Sequence, residues 1–258
     1  MTFPTRMLNC RSVIATTALT SCFIAAGALP SKAAGLFSCG NSCSYNLSDL
    51  ITNNNRVQIK DKVFSNFSFS TASQGFVTPG SSNEITVLGS GQKDYDIRFQ
   101  SFFSAFGSAT NDVLLGFDVE TMPGSNSLIR SVALDFNGNA AGTAVSEVIE
   151  TIDDSSGRRL GTTVVRAAKL NGQSNGLDVP ASEVILSQAV QKVNITKDIG
   201  LAGFNDQSIA SASFIDQKFG TTMAPGAARQ VPTPALLPGL VGMGAAALRK
   251  RKKAVDAE

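Results

Sequence analysis

Between residues 62 and 216 the chain passes through one short alternating run after another, and that pattern restricts it to β structure. In KVFSNFSFS, from Lys62, Val63 stands opposite Phe64, and Phe67 and Phe69 then share one face with serines on the other. EITVLG, YDIRFQS and DVLLGFDVE alternate in the same way, the last placing Leu115, Phe117 and Val119 on one side. SLIRSVALDFNG, SEVIETI, TTVVRAAKL, QKVNITKDI and SIASASFID follow. A period of two in segments rich in Val, Ile, Thr and Phe marks strands with one buried face, and about nine to eleven are expected here. Phe64, Phe67 and Phe69 read as core.

Turn chemistry separates these runs. Asn137-Gly138, Asn171-Gly172 and Asn175-Gly176 are hairpin signals, and Ser155-Ser156-Gly157 is a fourth. One short helix is expected, Leu47 to Thr52. The fold class is therefore all-β, an antiparallel sandwich or jelly-roll-like domain over residues 34–217. KFGTTMAPGAARQ, residues 218–230, is rich in small residues, lacks periodicity and reads as a linker.

The N-terminus has the layout of an export signal, residues 1–33. Arg6 and Arg11 form a positive start, Val13 to Leu29 is apolar, and small residues precede a cleavage point near Ala33 or Ala34. An uncleaved anchor is the alternative, as is a lipidated Cys22 in LTSC. Signal peptidase is the implied partner. Two cysteines then remain, Cys39 and Cys43 in CGNSC. Two thiols without histidine cannot close a zinc site. In an oxidising compartment the short flexible spacer allows a local disulfide, worth about 1–2 kcal/mol; two free thiols are the alternative.

The other end is built as an ordered set. VPTPALLPGLVGMGAAALRKRKK, residues 231–253, holds an apolar stretch, 235–248, and a basic stop, 249–253. Val231 to Leu248 is 18 residues, about 27 Å as a helix against a bilayer core of about 30 Å. Pro238 and three glycines weaken it. The basic block holds its end inside. This order resembles the PEP-CTERM family of sorting tails, in the variant where Pro-Thr-Pro-Ala replaces Pro-Glu-Pro, here Pro232, Thr233, Pro234 and Ala235 followed by Arg249, Lys250 and Arg251. The resemblance implies an exosortase-type membrane protease as partner, transient membrane anchoring and cutting near Thr233 to Leu236. A plain C-terminal anchor is the alternative reading. RVQIKDKVFSNFSFS, residues 56–70, is similar to the GDK-x-FSNF segment of cyanobacterial proteins with such tails; Lys60 stands where they carry glycine. ALDFNGNAAGTAVSEVIETI is similar to their middle region. No activity attaches to the resemblance.

Chemistry is sparse. Histidine and tryptophan are both absent, which removes imidazole bases and the strongest stacking ring for sugars. The balance of 22 basic against 20 acidic residues, with five of the basic ones in the tail, gives no nucleic-acid surface. SGQK, Ser90 to Lys93, has a Ser-x-x-Lys spacing but lies between glycines and reads as a turn. Asp118 and Glu120 share one strand face, and a glycosidase needs carboxyls facing each other across a bond. Asp135, Asn137 and Asn139 offer oxygens suited to calcium, though the segment reads first as a hairpin tip. Asp153 and Asp154 with Arg158 and Arg159 read as a solvated turn. Asn46, Asn66 and Asn194 match a glycosylation pattern by coincidence. The expectation is an exported, non-enzymatic surface or extracellular-matrix protein without cofactor; the alternative is a secreted polysaccharide- or calcium-binding module, with the Asn137 to Gly142 segment as contact.

Overall fold

The computed structural model describes residues 34–92, 95–174 and 178–224. The elements run β1 (Leu36–Cys39), β2 (Ser42–Asn46), α1 (Leu47–Thr52), β3 (Arg56–Ile59), β4 (Lys62–Thr78), a 3-10 turn (Ser82–Glu84) and β5 (Thr86–Ser90). Then come β6 (Ile97–Thr121), β7 (Ser127–Ala141), β8 (Ala144–Asp153), β9 (Arg159–Leu170), β10 (Gln173–Ser174), β11 (Ala181–Val190), β12 (Lys192–Gly203) and β13 (Ile209–Met223). The chain is all-β, and α1 forms where it was expected. Asn46 caps that helix, its side chain accepting from the Ser48 N–H at 2.9 Å, and Leu47 and Leu50 are buried beneath it.

The 13 strands form one hydrogen-bonded sheet that doubles back into two layers. The link is β6, 25 residues long. Its first half, up to Phe106, pairs with β5 and with β13, which continues to β7 and β11. Its second half, from Thr110, pairs with β4 and β12, which continues to β8, β9 and β10. Between the halves the strand bends at Gly107, with φ +67. Beside it β4 bends at Gly75, φ +85, where an added Cβ would lie 2.8 Å from the Ala109 Cβ. Only glycine meets both conditions there. All pairings are antiparallel except β1 with β3, which is parallel.

The two layers enclose one core. Phe99 and Phe117 lie 5.3 Å apart, Phe64 and Phe219 5.8 Å, joining residues of both layers. Each such ring contributes about 1.5–3 kcal/mol by leaving water. Phe64 and Phe67 are both buried although three positions separate them. Asn66 supplies the extra residue: it sits at φ +54 inside a register shift between Ser65 and Ser68, a bulge that resets the alternation.

One polar group in this core joins three strands. Lys197 of β12, Glu150 of β8 and Gln217 of β13 are each fully buried. The Lys197 side-chain nitrogen contacts Glu150 Oε2 and Gln217 Oε1. Gln217 Nε2 donates to the Ala133 carbonyl at 2.9 Å and to Glu150 Oε1 at 3.3 Å.

Three expectations need correction. Asn137-Gly138 is not a turn but lies inside β7; Gly138 is small because the Phe136 ring covers it. The chain turns from β7 into β8 instead at Gly142, φ +70, and those two strands pair with different neighbours. β13 continues from Lys218 to Met223, paired with β7, where a linker was expected from Lys218. YDIRFQS and DVLLGFDVE belong to a single strand, β6. Asn171 and Gly172, at φ +50 and +76, do form the expected turn, and Asp154–Gly157 makes another. Asn175-Gly176, Lys93, and the predicted signal 1–33 and tail 231–253 with Ala33, Pro232, Thr233, Pro234, Ala235, Arg249, Lys250 and Arg251 lie outside the described residues. Among the described residues no helix is long and apolar enough to cross a membrane.

Candidate functional site

Strands β6, β12 and β8 turn their odd or even positions alternately inward, so their other positions line an outer face. Gly200 lies at the centre of that face. Its ladder partners are Asp112 on β6 and Glu147 on β8. A Cβ added at Gly200 would meet nothing within 4 Å. The glycine is therefore not required by packing; its effect is to leave the floor open between two carboxylates. A third, Asp198, lies two positions along the same strand. The groove so formed holds about 400 Å³ and is lined by Asp112, Glu147, Ile149, Asp198 and Gly200, with Phe204 at one end. Phe204 is 61% exposed.

Charge in the groove is partly neutralised. Burial raises the Asp198 carboxyl above its ordinary range, and Asp112, which hydrogen-bonds to it, adds to the rise, as does Glu147. Glu147 is held by an ion pair with Arg166 of β9, its direct ladder neighbour. The result is a row of carboxylates beside an exposed ring. Chemically, the carboxylates offer acceptors for hydroxyl groups and the ring offers an apolar stacking face.

The residues singled out in the sequence lie elsewhere. Cys39 and Cys43 are joined by a disulfide, with Cα atoms 5.3 Å apart. That bridge rests on β5: a Cβ at Gly89 would lie 2.7 Å from Cys43 Sγ and 3.0 Å from Cys39 Sγ. Ala34 is exposed. Ser90 accepts from the Gln92 N–H at 3.2 Å and organises a turn. Asp118 and Glu120 do face one side, but Asp118 is occupied: it accepts from Asn66 at 2.6 Å and from Asn194, and pairs with Lys192 at 2.6 Å. The asparagines of the glycosylation pattern are thus spent on structure. Asp135, Asn137 and Asn139 are strung along β7 on its exposed face, not gathered in a loop; at about 3.3 Å per residue they span some 13 Å. Among the described residues no cluster of three or more His, Cys, Asp or Glu is arranged to hold a metal ion. Asp154 closes the β8–β9 turn. Its carboxylate accepts from the Ser156 hydroxyl and from the Arg158 and Ser156 N–H groups, which lowers it to about 2.

No protein-family model matches the chain and no curated protein matches it. Among solved structures it is similar to TmCBM61, solved with β-1,4-galactotriose, at 10% identity and TM-score 0.30, over 59% of this chain and 88% of that one. It is similar to the enzymatically active domain of tailspike protein 4 of bacteriophage CBA120, at 12% identity and TM-score 0.32, over 60% of this chain. It spans 19% of that tailspike chain. It is also similar to the family 11 carbohydrate-binding module of a Clostridium thermocellum cellulase, at 6% identity and TM-score 0.21, over 70% of this chain and 89% of that one. At these scores the likenesses carry no weight, and the groove is read from its own residues.

Proposed function

We propose that the chain is an exported, non-enzymatic surface or matrix protein whose β-domain holds an extracellular polysaccharide in the groove over Gly200. The observation that carries the binding reading is the open floor at Gly200, set between Asp112 and Glu147 with Phe204 at its end. Export and sorting rest on the sequence: the signal near Ala33 and Ala34, and the tail from Pro232 to Arg251, resembling a substrate of an exosortase-type protease.

Titration calorimetry of the exported protein against neutral and acidic soluble polysaccharides tests the binding. Heat with a neutral glycan, and no release of reducing ends, is expected. Absence of heat across the panel, or release of reducing ends, overturns the reading. Mass spectrometry of the same protein tests the sorting, and peptides reaching Glu258 in the mature form would replace it with a permanent anchor.

A further inference from the structure

The buried polar group between the layers has the composition of a reaction, not only of a contact. A lysine nitrogen touches the carboxamide oxygen of a glutamine. One carboxyl touches both: Glu150 Oε2 meets Lys197 Nζ, and Glu150 Oε1 meets Gln217 Nε2 at 3.3 Å. The Ala133 carbonyl, 2.9 Å from Nε2, fixes which end of the carboxamide faces which partner. All three side chains are fully buried, with Phe117 beside the lysine nitrogen at 5.9 Å. Burial pushes Lys197 down and Glu150 up, the direction of a nucleophilic amine beside a carboxylic acid.

We propose that Lys197 and Gln217 become joined by an amide bond, with Glu150 as the catalytic residue that moves the protons. Lys197 Nζ attacks Gln217 Cδ and forms the new C–N bond. Once the attack has made Cδ tetrahedral and given Nε2 a lone pair, Glu150, as a carboxylic acid, takes a proton from Nζ on Oε2 and gives its own from Oε1 to Nε2. The Cδ–Nε2 bond breaks and ammonia leaves. Glu150 ends as it began, a neutral acid, and nothing is oxidised or reduced. The fold holds the reacting groups together, which replaces a bimolecular encounter by an intramolecular one. The bond ties β12 of one layer to β13 of the other.

The test is mass spectrometry of the purified exported protein, reduced, unfolded and digested with trypsin. Trypsin cuts after Lys192, Lys197 and Lys218, and an amidated Lys197 resists it. The expected result is a peptide spanning residues 193–218, uncut at Lys197 and lighter than its sequence by about 17 Da, one ammonia. Fragmentation places the link between Lys197 and Gln217. Cutting at Lys197 with no mass loss overturns the proposal. So does a loss of about 18 Da, one water, with the link at Glu150. In Glu150→Gln the ammonia loss disappears and the cut at Lys197 returns; persistence of the link there overturns the role of Glu150. The wild-type measurement decides on the bond whether or not that variant folds.

Discussion

Asn194 on β12 and Asp118 on β6 are direct ladder partners, and the amide of the first donates to the carboxylate of the second. Asn66 and Lys192 close on the same carboxylate from β4 and from the start of β12. Asp118→Ala leaves three donors without their acceptor in a largely enclosed place. It is expected to cost about 1–3 kcal/mol in urea denaturation. Glycan binding at Gly200 should be untouched, and a loss of binding at unchanged stability would assign Asp118 to the site instead.

Gly200 has open space where a side chain would stand. Gly200→Val therefore fills the groove without pressing on the core, and suits a strand better than glycine does. Stability within about 0.5 kcal/mol of wild type is expected, with glycan affinity reduced roughly tenfold or more. Unaltered affinity would move the site elsewhere.

Asp198 is held above its ordinary value of 3.8, first by burial and then by Asp112 and Glu147. A carboxyl raised by folding stabilises fully below the unfolded value and loses that contribution as pH rises through the folded value. Asp198→Asn removes the titration. The melting temperature of the variant relative to wild type should climb as pH rises past 3.8. A difference that does not change with pH would contradict the raised carboxyl.

The Asp154 carboxyl, lowered from 3.8 to about 2, runs the other way. Its contribution is present above 3.8 and is lost as pH falls through about 2. An NMR titration should place it near 2, and Ser156→Ala, which removes the first cause of the shift, should move it upward. A titration at the ordinary value would mean the turn is open in solution.

Gly89→Ala pushes a methyl into Cys43 Sγ and into Ile59 Cδ1 at 2.8 Å. Overpacking of that kind is expected to cost about 1–3 kcal/mol in the oxidised protein. The penalty should shrink on reduction, when the two sulfurs can part. Equal penalties in both forms would place the strain on Ile59 alone.

Alternation carried the strands into view because inward positions repeat in the sequence itself. The same pattern held the core lysine in plain sight: Val193, Ile195, Lys197 and Ile199 share one face, as do Val148, Glu150 and Ile152, and Ile215, Gln217 and Phe219. What no local pattern contains is that three polar exceptions from three strands meet. The groove was hidden for the same reason, since Asp112, Glu147 and Gly200 become neighbours only through register. The Asn137-Gly138 misreading has a different origin. Turn residues there are overruled by pairing with β13 and by the Phe136 ring against Gly138. Lys60 shows the reverse: it lies at φ +54, a conformation that glycine takes without cost, yet a lysine stands there.

β13 lies between β6 and β7, hydrogen-bonded on both sides, and the chain runs on from its end. A pull from beyond Ala224 would therefore load an interior strand along its axis. The bonds from Lys218 to Met223 to β7, and those from Ile209 to Gln217 to both neighbours, would be loaded in shear instead of being peeled off one at a time from an edge. A module held by its C-terminal side against flow would resist extraction as a plug resists, by the sum of two ladders, and would yield abruptly and not by degrees.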